Sequence, residues 1–291
     1  MTRKEFQDLA ARGPVILDGA TGSELRAAGM PVGVSPERWI LEHPQVLRNI
    51  QRAYIDAGSM VIYVPTFSAN RLSLRNFGLE GEVRELNAAL TALSKETAGG
   101  RVLVAGDLST LGRPLEPVGE MPYGEAYGVY REQMEALASA GADLLTVETL
   151  MGMDEAVAAL DAAADLGLPV LCSFSAEADG SLLFGGNVRE AAAMVQELGA
   201  AAVGVNCSVG PDQLESVIRA IRAAVDIPVI AKPNAGLPVM DERGQARYSM
   251  GPEEFARHMR NLVNAGAGIA GGCCGAAPAY IRQLAAELIA P

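Results

Sequence analysis

Three of the four cysteines in this 291-residue sequence have a spacing that could hold a metal ion. Cys207 ends one short apolar run of the chain, and the adjacent pair Cys273 and Cys274 ends another. If both runs are parallel strands near one another in a barrel, their carboxyl ends bring the three thiols to one place. Three thiolates plus one exchangeable ligand form a tetrahedral zinc site of the catalytic kind, and soft sulfur ligands favour zinc over magnesium or calcium.

The cysteine pattern by itself leaves other interpretations open. The sequence has no CxxC pair, and the vicinal Cys273 and Cys274 could form a redox pair or fill space in a glycine-rich turn. The segment 271–275 could also bind phosphate through its backbone N–H groups, as loops of α/β barrels often do. A phosphate-binding lyase or isomerase is therefore an alternative function, with Lys232 as its candidate Schiff-base lysine. Cys172 lies inside an apolar run and is predicted to be a packed core thiol.

Other polar residues also stand where short apolar runs end. A buried charge is costly unless it is paired or binds something, so a set of such residues at strand ends predicts a polar site. Any one of them could instead cap the next helix, because Asp, Ser and Asn are favoured caps. In chain order these residues are Asp18, Thr66, Asp107, Glu148, Ser173, Cys207, Asn234 and the pair Cys273–Cys274.

The elements that must position these residues alternate between short apolar runs and amphipathic helical patterns. Each run has the length of a buried parallel strand and lacks strict alternation. Eight β units alternating with helices predict an α/β fold, a TIM (β/α)8 barrel formed by a single domain over residues 1–291. An open doubly wound sheet is the alternative, although DGATG at 18–22 lacks the glycine pattern of a nucleotide-binding fold. The runs are Val15–Gly19, Met60–Phe67, Val102–Leu108, Asp143–Thr149, Pro169–Phe174, Ala201–Cys207, Pro228–Asn234 and Gly268–Cys274.

Prolines and glycines predict where several helices begin and end. Proline is favoured at the first helical position, which predicts helices that start at Pro44, Pro211, Pro252 and Pro278. Glycine is favoured just after a helix, which predicts helix ends at Gly58, Gly141, Gly167, Gly199 and Gly266.

Composition narrows the class of partner and the compartment. The formal net charge of −12 leaves little surplus Lys or Arg for a basic face, which argues against nucleic acid and anionic membranes as partners. The amino-terminal segment has no apolar signal region, and no apolar run is long enough to span a bilayer. The sequence therefore predicts a cytoplasmic protein. Because that compartment disfavours disulfides, its cysteines are candidates for metal binding or catalysis.

Six sequence segments together resemble the homocysteine S-methyltransferase family, which includes the homocysteine-binding module of cobalamin-dependent methionine synthase and betaine-homocysteine methyltransferase. The resemblance extends from Val15 to about Ile281, and the last three segments are specific in their order and spacing. The segments are ILDGATGSEL at 16–25, PTFSAN at 65–70, DLLTVET at 143–149, VGVNCSVGP at 203–211, KPNAGLP at 232–238 and GGCCG at 271–275.

The resemblance implies a homocysteine-binding barrel over residues 1–291 and assigns roles to residues that match the family pattern. Cys207, Cys273 and Cys274 would be zinc ligands, with Asn234 as a possible fourth ligand when no thiol is bound. The amino-acid end of homocysteine would be held by Asp18, the Gly19 amide, Thr66 and Glu148. A carboxylate can accept from the substrate ammonium, while a backbone N–H and a Thr hydroxyl can donate to its carboxylate.

The function implied by the resemblance is zinc-dependent methyl transfer to the thiolate of homocysteine, a step of methionine biosynthesis. The methyl donor stays open between a small sulfonium or ammonium compound, such as S-methylmethionine or a betaine, and a separate corrinoid protein. A methyltransferase acting on another thiol and a non-catalytic partner of a corrinoid protein are further alternatives. Val64-Pro65 departs from the family pattern, which usually has a polar pair here.

Overall fold

Eight parallel strands form a barrel in the computed structural model, which describes residues 1–207, 209–240 and 246–289. Each of the eight predicted runs overlaps one of these strands, so the predicted barrel is confirmed. The barrel strands are β1 (Val15–Ile16), β2 (Val61–Tyr63), β3 (Leu103–Ser109), β4 (Leu144–Leu150), β5 (Val170–Phe174), β6 (Ala202–Cys207), β7 (Val229–Pro233) and β10 (Ala267–Ala270); β8 (Pro238–Met240) and β9 (Ala246–Tyr248) lie outside the barrel sheet. The strand order is β1-β10-β7-β6-β5-β4-β3-β2, and a bridge between Leu17 and Val61 joins β1 to β2 and closes the ring.

Most of the helices pack around the outside of the barrel. The helices are α1 (Arg3–Ala10), α2 (Thr21–Ala27), α3 (Pro36–Glu42), α4 (Pro44–Ala57), α5 (Arg71–Leu74), α6 (Val83–Ala98), α7 (Tyr123–Ser139), α8 (Met153–Ala163), α9 (Val188–Glu197), α10 (Glu215–Arg222), α11 (Pro252–Asn264) and α12 (Pro278–Ile289). None of the described helices combines the length and apolar character needed to cross a bilayer.

The barrel strands are buried on both faces, which explains why their sequences do not alternate. One set of strand side chains, such as Val15, Leu171 and Ile230, packs inside the barrel. The alternate set, such as Ile16 and Cys172, packs against the surrounding helices. Cys172 is fully buried and is a free thiol, as predicted. Burial raises the pKa of this thiol to about 12, so it stays protonated.

Helix α1 lies across the amino-terminal end of the barrel. Thr2 caps it, accepting from the Glu5 N–H, while the Glu5 carboxylate accepts from the Thr2 N–H at 2.7 Å. Phe6 is completely buried with the interior strand residues, and Gln7 donates to the Ala201 carbonyl at 3.3 Å. The apolar Phe6 side chain therefore seals this end of the barrel, and the polar Gln7 side chain next to it is hydrogen-bonded.

The structure departs from the predicted elements in three places. Pro211 opens a 3-10 turn, Pro211–Gln213, and α10 begins only at Glu215. Gly167 lies beyond the end of α8 at Ala163, so it does not terminate that helix directly. An unpredicted antiparallel hairpin, β8 (Pro238–Met240) with β9 (Ala246–Tyr248), is inserted between β7 and α11. Its strands are too short for periodicity to reveal them.

Candidate metal centre and substrate cavity

Three cysteine sulfurs meet at the carboxyl end of the barrel. The Sγ atoms of Cys207, Cys273 and Cys274 all lie within 4.8 Å of one another. Cys207 ends β6, and the other two follow β10; β7 lies between these strands in the sheet. The loop after β10 is fixed to β7, since the Cys273 N–H donates to the Pro233 carbonyl at 2.7 Å. The predicted convergence of the three thiols is therefore present.

The chain at this cluster adopts an unusual backbone conformation. Cys207 has a φ of 59°, and Thr149, next to Glu148 on β4, has a φ of 64°. Left-handed conformations of non-glycine residues cost on the order of 1–3 kcal/mol and gather at functional sites. Asn206 holds this pair of strand ends, accepting from the Thr149 N–H at 2.7 Å and from the Ser173 hydroxyl at 2.8 Å. Its amide nitrogen donates to the Thr149 hydroxyl at 2.8 Å.

The glycine after the cysteine pair allows Tyr248 of the hairpin to reach the sulfurs. Gly275 has a φ of 82°, and a Cβ atom there would lie 2.3 Å from the Tyr248 ring. The Tyr248 hydroxyl is hydrogen-bonded to Cys274. A donated hydrogen bond stabilises a thiolate, so the hairpin contributes to the electrostatics of the cluster.

The donor set suits a thiophilic metal ion. Hydrogen bonds from Cys207 and Cys273 lower the pKa of Cys274. Hydrogen bonds with Cys273 and Cys274 raise the pKa of Cys207. Three thiolates this close repel one another unless a cation lies among them, and three sulfurs with space for one more ligand match a zinc site. The residues present therefore fit zinc.

A cavity of about 320 Å³ opens beside the sulfurs. Its described lining includes the predicted site residues Asp18, Gly19 and Glu148 together with the three cysteines. Gly19 has no room for a side chain, because a Cβ atom there would lie 2.1 Å from the Ala276 carbonyl oxygen. Pro65 and the partly exposed Phe67 line the same cavity, so the loop that departs from the family pattern borders this cavity.

Two predicted site residues are not among the described residues that line the cavity. Thr66 is fully buried, and its hydroxyl donates to the Asp107 carbonyl at 2.8 Å. Asn234 is buried just after β7, where its N–H donates to the Val209 carbonyl at 3.3 Å. The roles of Thr66 with the substrate and of Asn234 with the metal stay predictions.

Charged side chains are buried at the bottom of the cavity (the cavity floor), and two of them, Lys232 and Glu148, form an ion pair. Lys232 Nζ lies 3.0 Å from Glu148 Oε2 and 4.7 Å from the centre of the Tyr63 ring. Burial alone would lower the pKa of Lys232, but the Glu148 carboxylate and other negative neighbours raise it well above its usual value. Lys232 is therefore a protonated ion-pair partner, which is unsuitable for the Schiff-base role considered from the sequence.

The other two carboxylates of the floor are incompletely satisfied. Asp18 Oδ2 accepts from the Tyr63 N–H at 2.7 Å, but Asp18 Oδ1 and Asp107 Oδ1 are buried with no hydrogen-bond partner among the described residues. Burial raises the pKa of Asp18 to about 7 and, with the nearby Glu148 charge, raises that of Asp107 well above its usual value. Sequence reasoning placed Asp107 at a strand end without giving it a role. It missed Asn206, although that residue directly precedes Cys207.

Comparisons with known proteins agree on one family. The family model described as homocysteine S-methyltransferase matches residues 15–288. Methionine synthases of Mycobacterium tuberculosis and Mycobacterium leprae are each 30% identical to the chain over 98% of its length. The chain spans about a quarter of the length of these curated relatives, since the match covers 25% of each.

A solved structure has the same fold. The metallated form of the homocysteine methyltransferase MmuM from Escherichia coli superposes with a TM-score of 0.81 at 24% identity, covering 94% of this chain and 96% of that one. Its apo form superposes with a TM-score of 0.76. With the family model matching almost the whole chain, the chain belongs to the homocysteine S-methyltransferase family, a family of methyltransferase enzymes.

Proposed function

We propose that this chain is a zinc-dependent S-methyltransferase that transfers a methyl group to the sulfur of homocysteine and so forms methionine. The observation that carries the proposal is the cluster of Cys207, Cys273 and Cys274 within 4.8 Å, beside a cavity with buried carboxylates. Family membership and the names of the methionine synthase and MmuM relatives support the acceptor. Residues 1–291 would act as one homocysteine-binding barrel.

The three cysteines would hold the zinc ion, with Asn234 as a candidate fourth ligand in the absence of substrate. Bound zinc would supply Lewis-acid activation, which favours the thiolate form of the substrate sulfur over the thiol. The Tyr248 hydrogen bond to Cys274 and the Asn206 contacts behind Cys207 would keep the cysteines in position. Free cysteines at this site suit a reducing compartment, in agreement with a cytoplasmic protein.

The cavity residues would bind the amino-acid end of homocysteine. Asp18 offers a carboxylate oxygen that has no hydrogen-bond partner among the described residues, and Glu148 lines the same cavity. The Gly19 N–H would donate to the substrate carboxylate, and Thr66 stays a candidate for the same role. Fixing this end leaves the sulfur as the group that faces the cluster, which is a contribution of orientation to catalysis.

Methyl transfer then requires only an aligned donor. The substrate sulfur forms a bond to the methyl carbon while the carbon–donor bond breaks, and its electron pair leaves with the donor. A small sulfonium or ammonium donor and a separate methylcorrinoid protein are both compatible with a cavity that is open to solvent at Phe67. Assays should therefore offer S-methylmethionine, a betaine and a methylcorrinoid protein in separate reactions.

A single substitution tests the cluster. Cys273→Ser should remove the bound zinc and abolish methionine formation, because a serine hydroxyl is a poor replacement for a thiolate. The matched control is Cys172→Ala, which deletes the thiol that packs outside the barrel and should retain zinc and turnover. Full turnover by the Cys273→Ser variant would overturn the proposal, as would equal loss in both variants with both proteins folded.

A lyase that uses Lys232 as a Schiff base is disfavoured, because Glu148 keeps that lysine charged. Borohydride trapping with carbonyl substrates should leave the mass of the chain unchanged.

A further inference from the structure

We propose that Lys232 is a positioning residue that acts on the metal centre through its charge: the buried ammonium group offsets the negative charge that an acceptor sulfur brings when it joins the three cysteine thiolates. The inference rests on the proposed function and deepens it. It gives a role to a buried lysine that has none in methyl transfer once the Schiff-base chemistry is set aside.

The first observation is the place of Lys232 on β7. This strand lies between β6 and β10, the two strands that lead into the cysteines. Lys232 pairs with Asn206, the residue before Cys207. On the other side, the Cys273 N–H donates to the carbonyl of Pro233, the next residue after the lysine, at 2.7 Å. Strand pairing and this loop hydrogen bond therefore fix the lysine backbone relative to the cysteines on both sides.

The second observation is that the ammonium group is buried and held in one place. Only 5% of the Lys232 side chain is exposed, and its Nζ lies 3.0 Å from Glu148 Oε2 and 4.7 Å from the centre of the Tyr63 ring. Solvent screens a buried charge much less than a surface charge, so its field extends further. The charge of Lys232 interacts with the sulfurs of both Cys273 and Cys274.

The third observation is the balance of charge around the cavity. The described lining contains the carboxyl groups of Asp18, Glu37, Asp107 and Glu148, and Lys232 is its one basic side chain. Three thiolates around a divalent zinc ion have a net charge of minus one, and a fourth thiolate makes it minus two. Adding this charge to a buried acidic site is costly unless a cation lies close by. Among the described lining residues, that cation is Lys232.

The ion pair with Glu148 makes the lysine charge more important for the metal centre. The Glu148 carboxylate interacts with Cys273 as a like charge. A neutral residue at position 232 would remove the cation and leave this carboxylate unbalanced beside the thiolates. Both changes oppose the arrival of a further thiolate. The effect of Lys232 should therefore be found with any ligand that binds the metal as an anion, whatever the rest of that ligand contains.

The test uses a thiol that lacks an amino-acid end. Zinc-loaded protein is titrated calorimetrically with 2-mercaptoethanol, which has no ammonium or carboxylate group and therefore reports sulfur binding at the metal alone. Lys232→Gln removes the charge but keeps a donor for Glu148, and should weaken this binding by about tenfold or more. Lys232→Arg keeps the charge and should stay within about threefold of the wild type. The matched control is Lys95→Gln, at a lysine that also pairs with a carboxylate, that of Asp143, but is not among the described lining residues; it should not change the affinity.

Two results with folded, zinc-loaded variants would overturn the inference. One is a Lys232→Gln variant that binds 2-mercaptoethanol as tightly as the wild type does. The other is an equal loss in Lys232→Gln and Lys232→Arg, because the shape of the side chain and not its charge would then be what matters. Failure of the proposed function looks different: wild-type protein would hold no zinc, or its zinc would take up no thiol, homocysteine included.

If the Lys232 variants do not fold, proton release by the wild type decides. Calorimetry near pH 7 in buffers of different ionisation enthalpy counts the protons released when 2-mercaptoethanol binds. A fixed cation that offsets the new charge predicts a net release of about one proton, the one lost by the thiol. A net release near zero would mean that the protein takes up a proton to balance the thiolate, and Lys232 would not have the proposed role.

Discussion

The two ends of the barrel differ in how well their buried groups are satisfied. At the amino-terminal end, α1 closes the barrel with the buried ring of Phe6, and the Gln7 side chain satisfies a strand carbonyl. At the carboxyl end, Asp18 and Asp107 each bury an oxygen that no described residue bonds, and Cys207 and Thr149 adopt left-handed conformations. The amino-terminal end therefore stabilises the fold, whereas the carboxyl end keeps destabilising features that suit a ligand-binding site.

The largest effect on stability should come from the sealed end. Phe6→Ala removes a completely buried ring, and Phe→Ala changes in cores cost about 3–5 kcal/mol of unfolding free energy. Because Phe6 is on the opposite end from the cysteines, metal content and homocysteine affinity of the folded variant should not change. Denaturant titration and metal analysis check the two statements separately. Loss of metal from a variant that is still folded would show that the two ends are not independent.

Asn206→Ala, next to Cys207, should cost less unfolding free energy than Phe6→Ala but should reduce zinc affinity more. Asn206→Ala removes three hydrogen bonds that hold Thr149 and Ser173, and should cost about 2–3 kcal/mol of unfolding free energy. Groups that orient metal ligands typically change affinity by about 10–100-fold, so zinc affinity should fall by that factor. Competition with a chelator measures it. Ser173→Ala, which removes one of these bonds, is the milder control; unchanged zinc affinity in Asn206→Ala would separate this network from the metal.

The smallest expected effect is a gain of stability at the carboxyl end. The pKa of Asp18 is raised to about 7 in the fold from a usual 3.8, so the folded protein keeps a proton that the unfolded chain releases. The stability contributed by this group is complete below pH 3.8 and is lost as the pH rises through about 7. Asp18→Asn should therefore stabilise metal-free protein by about 1–2 kcal/mol at pH 8 and much less at pH 5.

Urea unfolding of both proteins at the two pH values measures this difference. The Asp56→Asn control changes an exposed carboxylate and should leave the pH dependence of stability as it is in the wild type. An Asp18→Asn variant that is less stable than the wild type at pH 8 would contradict the idea that this carboxylate is held at a cost.

The sequence predicts the barrel strands and the metal cluster better than the cavity floor, and it gave no indication that α1 closes the amino-terminal end. Runs such as 102–108 and 169–174 predict strands because burial on both faces makes them continuously apolar. The convergence of the three cysteines follows from the barrel, since all parallel strands end on one face. The Lys232–Glu148 pair joins residues on β7 and β4, which no local pattern connects. The left-handed conformation of Cys207 is likewise not encoded by its residue type, and the Asn206 side chain before it bonds to Thr149 of another strand.

The central claim is that the three cysteines hold a zinc ion which takes the substrate sulfur as a further ligand. Zinc K-edge X-ray absorption on anaerobically purified protein, before and after homocysteine is added, tests it most directly. The account predicts about one zinc per chain with three sulfur ligands, rising to four sulfurs with homocysteine at distances near 2.3 Å. Absence of zinc, or a zinc whose sulfur count does not change when homocysteine is added, would contradict it.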